Sequence, residues 1–257
     1  MSRPYVLKET NWYTVKGQTY QLAVLPWGAT EAHNFHLPYG TDAYLAEHVA
    51  IESAGQAWEK GARPVVLPCV PYGVNTGQLE VPFCMNFNPS TQKIVLADII
   101  TVLLQHGVNK LVIVNAHGGN NFQPIVRELN MQFPTMIICI INWWKVCKVA
   151  EYFDNPGDHA DEMETSSLMA IKPELILPLE LAGDGAETPF ALKGLREKWA
   201  WVPRRWVYVT KDTGVGDPSL STPEKGARFV TDSVRNIGDF LVELAQVQTE
   251  KDLYHHE

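Results

Sequence analysis

Short, continuous apolar runs and longer amphipathic stretches alternate along this chain. Residues 20–27 form an apolar run that reads as a strand over 21–26, hydrophobic nearly throughout, as in a strand covered on both sheet faces. Residues 41–60 follow as a helix, with Leu45, Val49, Ala54 and Trp58 in an approximate stripe and Gly61 at its end. The spacing predicts further strands over 64–70, 110–115 and 135–143. It predicts further helices over 90–106, capped by Ser90, and over 122–133. Strands joined through helix-length crossovers indicate a mostly parallel sheet. Residues 71–89 break the pattern. They are rich in Gly, Pro and Asn, lack periodicity and exceed an ordinary connection, which marks a functional loop. Tyr72, Phe83, Met85 and Phe87 favour an ordered one.

The two ends of the chain are less regular. Residues 1–19 fit either an edge strand or an early helix. After residue 150 a short helical pattern reaches about residue 170, and Pro173, Pro178, Pro189, Gly183 and Gly185 mark irregular chain. Residues 206–210 read as a late strand. Ser221 and Glu224 form a capping box, with Pro223 in the first turn of a last helix to about residue 248. No repeat, linker or low-complexity tract intervenes, so residues 1–257 are expected to form one α/β domain.

Composition narrows the function classes. Of 257 residues, 46% are hydrophobic and 19% charged, which suits a globular chain and not a disordered one. A net charge of −8 argues against non-specific nucleic-acid binding, which needs a basic face. No apolar run approaches the roughly 20 residues of a membrane-spanning helix, and Met1 leads into no signal-peptide core. Cys69, Cys84, Cys139 and Cys147 form no C-x-x-C motif and read as free thiols, which points to the cytoplasm. Tyr254, His255, His256 and Glu257 read as a polar tail. Dinucleotide fingerprints, phosphate loops and nucleophile elbows are missing.

The chemistry gathers in three places. Glu31, His33, His36 and Asp42 occupy the loop after the first strand and the start of the helix behind it. His117 follows a second strand of the same parallel sheet, in a turn with Gly118 and Gly119, where the backbone can approach a ligand closely. His159, Glu162 and Glu164 follow in a third stretch. Imidazoles and carboxylates of this kind ligate zinc, manganese or iron. The donors exceed one tetrahedral site with an open position, which suggests two cations roughly 3.5–4 Å apart holding a hydroxide nucleophile.

These motifs resemble the creatininase (creatinine amidohydrolase) family. The matching residues are Glu31-x-His33-x-x-His36-Leu37-Pro38-x-Gly40-Thr41-Asp42, then Asn115-x-His117-Gly118-Gly119-Asn120, then His159-Ala160-x-x-x-Glu164-Thr165-Ser166. Gly216-Asp217-Pro218 and Thr222-x-Glu224-Lys225-Gly226 complete the set. The resemblance implies a three-layer α/β/α sandwich and a binuclear centre of zinc and/or manganese, with iron as a further option. It implies Glu31 and His117 on one metal, His33 on the other, Asp42 bridging and Glu164 as the last ligand, with Glu162 as its alternative. His159 matches an acid/base position, and His36, Asn75, Gly118 and Gly119 are expected against the substrate. The implied reaction is hydrolysis of an amide or cyclic amide C–N bond by the metal-bridging hydroxide. A creatininase-like peptidase or deformylase, and a metal-binding module without catalysis, are the alternatives. The family's creatinine hydrolases carry a Glu where this chain has Gly119, so creatinine is not the expected substrate. The resemblance also implies a homo-oligomer, a hexamer. Separately, Trp199, Trp201 and Trp206, in a stretch with little regular pattern, suggest an aromatic patch that a second copy would cover.

Overall fold

The computed structural model describes residues 3–255, so Met1, Ser2, and His256 and Glu257 of the polar tail lie outside the described residues. Four strands, β1 (Leu22–Trp27), β2 (Pro64–Val66), β3 (Lys110–Asn115) and β4 (Ile137–Asn142), form one parallel sheet in the order β2-β1-β3-β4. Leu25 pairs with Ile113, and Val112 with Cys139. The helices are α1 (Trp12–Val15), α2 (Thr41–Glu59), α3 (Pro89–Gln105), α4 (Phe122–Gln132), α5 (Glu162–Ile171), α6 (Lys193–Arg196), α7 (Trp206–Val209) and α8 (Pro223–Gln246).

Every residue of β1 and β3 is buried, as the unbroken apolar runs require. Because alternate side chains point to opposite faces, Leu22 and Val24 join a core with α2, α5 and α8. Ala23, Leu25 and Trp27 join a second core with α3 and α4. The result is the expected α/β/α sandwich. From β1 the chain steps outward to β2, then returns past β1 to β3. The strand order therefore reverses at the carboxyl ends of β1 and β3, where open α/β sheets hold their ligands.

Several expected elements differ in detail. β2 ends at Val66; Leu67 still donates to the Val24 carbonyl (2.8 Å), but Pro68 has no N–H with which to continue the ladder. The helix expected from Ser90 starts at Pro89 behind an extended Asn88. Residues 206–210 form a helical turn, not a strand: Trp206 and Val209, three apart, are buried while Tyr208 is exposed. The cap of α8 is Thr222, whose hydroxyl accepts from Lys225 N (3.3 Å). Ser221 is turned away to donate to the Glu162 carbonyl (3.4 Å). The first 19 residues contain a 3₁₀ turn at Leu7–Glu9 and the short α1, capped by Asn11.

The long loop is tied down by hydrogen bonds within itself and from the segment that carries Glu31 and His33. Thr30 donates to the Pro71 carbonyl (2.7 Å), Asn75 N to Asn86 Oδ1 (2.8 Å), and the Tyr39 hydroxyl to the Pro82 carbonyl (2.8 Å). All four cysteines are free. Among the described residues, no helix is long and apolar enough to cross a membrane.

Candidate metal centre

Backbone geometry at the switch point delivers the donors. Gly28 lies so close under the start of α2 that a Cβ there would meet Ala43 N at 2.4 Å. That close pass brings Asp42, in the first turn of α2, over the loop carrying Glu31 and His33. His117 arrives from the end of β3. Asn115 shapes its turn by accepting from His117 N (3.1 Å) and from Asn120 Nδ2 (3.0 Å). His159 is held by paired backbone bonds to Val215 (3.0 and 2.8 Å). Asp161 caps α5 by accepting from Glu164 N (3.0 Å).

Glu31, His33, Asp42, His117, His159 and Glu164 are all buried, and they converge. Glu31, Asp42 and His117 form one group of donor atoms within 4.8 Å of one another; His33, Asp42 and Glu164 form another; Glu31, His33 and His159 form a third. Asp42 divides its oxygens: Oδ1 lies 3.0 Å from His33 Nε2 and Oδ2 lies 3.0 Å from His117 Nδ1. His117 Nδ1 is also 2.8 Å from Glu31 Oε1. Glu164 Oε2 stands 3.9 Å from His33 Nε2.

Each imidazole is oriented by a backbone carbonyl. His33 Nδ1 donates to Glu31 O (3.1 Å), His117 Nε2 to Val74 O (3.1 Å) and His159 Nε2 to Ala32 O (2.8 Å). A ring nitrogen bonded to a carbonyl carries the proton, so the other nitrogen of each ring turns a lone pair toward the carboxylates. Lone pairs facing lone pairs repel unless cations stand between them. Protons can play that part. Burial opposes charge on His33, but Asp42, with Glu164 and Glu31, overcomes it and holds His33 up to about 10. Burial is likewise overcome at His117 by Glu31 and Asp42, which raise it well above the usual imidazole range. Burial alone raises Asp42, yet His33 and His117 pull it well below the usual carboxylate range. Burial pushes Glu164 up to about 8. Burial, then the charge on His33, lowers His159.

Divalent ions fit the same donors. Asp42 Oδ2 is buried and accepts no hydrogen bond, and each lone pair comes from a side chain already fixed in orientation. Glu31, Asp42 and His117 would hold one ion, and His33, Asp42 and Glu164 a second.

The remaining expected residues divide. Glu162 is buried, but it is turned away from the centre. It accepts from Asp154 N (2.9 Å) and Asn155 N (2.6 Å) and pairs with Lys225, so it is neither a solvated carboxylate nor near the other donors. His36, expected against substrate, is buried outside the cavity with Nε2 on the Thr165 hydroxyl (2.9 Å). Burial lowers it to about 4. Asn75, Gly118 and Gly119 do line the cavity, which has a volume of about 830 Å³ above the cluster. Asn75 Nδ2 is committed to Met85 O (3.0 Å). Gly119 cannot carry a side chain: a Cβ would meet Val74 O at 2.3 Å and His117 Nε2 at 2.4 Å. Two further side chains touch the cluster. Trp206 stacks edge-on to His159, centroids 4.8 Å apart, and Gln78 donates to Glu31 Oε2. Gln78 is one polar residue among several in its loop, and nothing in its spacing sets it apart.

A parallel α/β/α sandwich with buried histidines and carboxylates at its switch point defines an α/β protein with a candidate metal centre. The chain belongs to the creatininase family, described as creatinine amidohydrolase, which matches residues 8–241. Its members are hydrolases. The crystal structure of a candidate creatinine amidohydrolase from Bacteroides fragilis NCTC 9343 has a TM-score of 0.93 at 43% identity, over 99% of this chain and 100% of that one. The mycofactocin precursor peptide peptidase of Mycolicibacterium smegmatis is 29% identical over 85% of this chain and 83% of its own length. A mutant creatininase of Zn-Zn type shares the fold, with a TM-score of 0.78 at 22% identity over 96% and 100% of the two chains.

Proposed function

We propose that this chain is a divalent-metal-dependent amidohydrolase that cleaves a C–N bond in an amide larger than creatinine. The observation that carries the reading is Asp42, whose two oxygens face His33 Nε2 and His117 Nδ1 at 3.0 Å each. One carboxylate between two oriented imidazoles is the arrangement expected of a bridging ligand. The zinc and manganese forms of creatininases that share this fold support divalent ions, zinc or manganese, at these donors. Ions held there would acidify water and polarise a carbonyl oxygen.

The side chains supply the rest. Glu31, Asp42 and Glu164 neutralise the cations, and the carbonyls of Glu31 and Val74 keep His33 and His117 in the ligating tautomer. Burial, the largest cause, lowers His159, which favours the neutral imidazole, and its Nδ1 faces Glu31 at 3.7 Å. It accepts a proton from the attacking water and delivers it to the leaving nitrogen. Two observations support a substrate other than creatinine. No side chain fits at Gly119, so the carboxylate that creatinine hydrolases carry there has no counterpart. The cavity of about 830 Å³ accommodates a peptide-sized amide, and a relative of the chain is a peptide peptidase. Exposed Trp199 and Trp201 support assembly with further copies of the chain.

Elemental analysis of chelator-free protein, followed by assays on creatinine, formamides, lactams and short peptides with manganese, zinc and iron, tests this reading. Stoichiometric metal with turnover of a peptide or acyclic amide is expected. Absence of metal would overturn it, and creatinine turnover at a kcat/KM of roughly 10⁴ M⁻¹s⁻¹ or above would overturn the substrate assignment.

A further inference from the structure

Glu31 offers two oxygens, and the protein uses both. Oε1 faces His117 Nδ1 at 2.8 Å, inside the donor cluster. Oε2 accepts a hydrogen bond from Gln78 Nε2. Gln78 Oε1 in turn accepts from the Cys84 thiol (3.2 Å), and Cys84 Sγ accepts from Ala32 N (3.3 Å), one residue from Glu31. All three side chains are buried. The direction of this chain is set by chemistry. An ionised carboxylate only accepts, so the amide must turn its NH₂ to Glu31, which leaves its carbonyl to the weak thiol donor.

We infer that Gln78, oriented by Cys84, is a positioning residue that confines Glu31 to one-oxygen metal ligation. This rests on the metal centre proposed above. A carboxylate with one oxygen held by a buried amide cannot turn to chelate an ion with both, so an open coordination position is preserved. The same loop also supports the acid/base residue: Gly77 O, beside Gln78, accepts from Trp206 N (2.9 Å), and Trp206 packs against His159. The relay thus ties the geometry of a ligand to the loop that seats the proton carrier.

The test uses the full chain, stripped of metal and titrated with Co²⁺ and then Zn²⁺. Gln78→Leu is expected to weaken one of the two ions by 10–100-fold and leave the other. Visible Co²⁺ absorption is expected to fall in intensity as Glu31 turns to chelate and the coordination number rises. Cys84→Ser, which keeps a donor, should match the wild type, and Cys84→Val should shift the spectrum as Gln78→Leu does. Wild-type affinity and spectrum in Gln78→Leu would overturn the inference. If Gln78→Leu does not fold, the two Cys84 variants decide, and identical spectra for them would overturn it. Failure of the wild-type chain to take up Co²⁺ or Zn²⁺ would instead overturn the metal reading, and the inference with it.

Discussion

Two adjacent glycines should respond in opposite ways to the same methyl group. A Cβ on Gly118 meets nothing within 4 Å, whereas a Cβ on Gly119 would fall 2.3 Å from Val74 O and 2.4 Å from His117 Nε2. Those two atoms are the ends of the 3.1 Å bond that orients His117. Ordinary carbon contacts begin near 3.4 Å, so Gly119→Ala requires a shift of about 1 Å in the imidazole, the Val74 carbonyl or both. Loss of a bond that orients a ligating histidine costs 10–100-fold in metal affinity, about 1.4–2.8 kcal/mol. Overpacking adds about 1–3 kcal/mol of lost stability. The assay is Zn²⁺ affinity by competition with a chelator, alongside the melting temperature of the metal-free protein. Gly119→Ala should lose affinity at the site that His117 serves, and Gly118→Ala should bind as wild type. Equal, wild-type affinity in both variants would refute the claim that the Val74 carbonyl sets the ligating nitrogen of His117.

Asp42→Ala should lose both ions in elemental analysis, since Asp42 presents one oxygen to His33 and the other to His117; full retention would refute bridging. His159→Ala should keep metal while kcat falls by roughly 10²–10⁴, and joint loss of metal and rate would make His159 a ligand. In metal-free protein, Glu164 at about 8 and His33 at about 10 both sit above their ordinary values of 4.5 and 6.5. The folded state therefore binds their protons more tightly than the unfolded state, and that stabilisation is present at low pH and lost as pH rises toward 8 and then 10. Zinc must displace the same protons, so its increment in melting temperature should grow from pH 6 to 8, and a flat scanning-fluorimetry profile would refute this. Light scattering at micromolar concentration should give a mass above the 28.8 kDa monomer; a monomer alone would exclude assembly.

How much was legible in the chain depends on which interactions decide each feature. β3 is Lys110–Asn115 as expected and β1 shifts by one residue, because burial on both faces writes a continuous apolar run in these central strands, whereas β2 and β4 are shorter than expected. Failure came where local chemistry offered two nearby solutions. Ser221 and Thr222 are both competent caps, and the choice turned on the Glu162 carbonyl, remote in sequence. Residues 206–210 are apolar and short, and such a run cannot be assigned to strand or helix by periodicity alone. Glu162 offers the same carboxylate as Glu164 two residues away, yet Lys225 and the amides of Asp154 and Asn155 hold it away from the centre.

Periodicity and residue type are local properties, so the class of sheet, its crossovers and the inventory of donors are written in the chain. It also brought Glu31, His33 and His117 to one sheet edge, since residues after neighbouring parallel strands must emerge together. Long-range packing set the rest. It turned one nitrogen of each histidine toward a carbonyl and the other toward the carboxylates, chose Glu164 over Glu162 as the acid facing His33, and removed His36 from the cavity. It recruited Gln78 from 47 residues away. Those outcomes depend on angles and distances between segments far apart in the chain, and a shift of an ångström, which leaves the sequence pattern untouched, would reverse them.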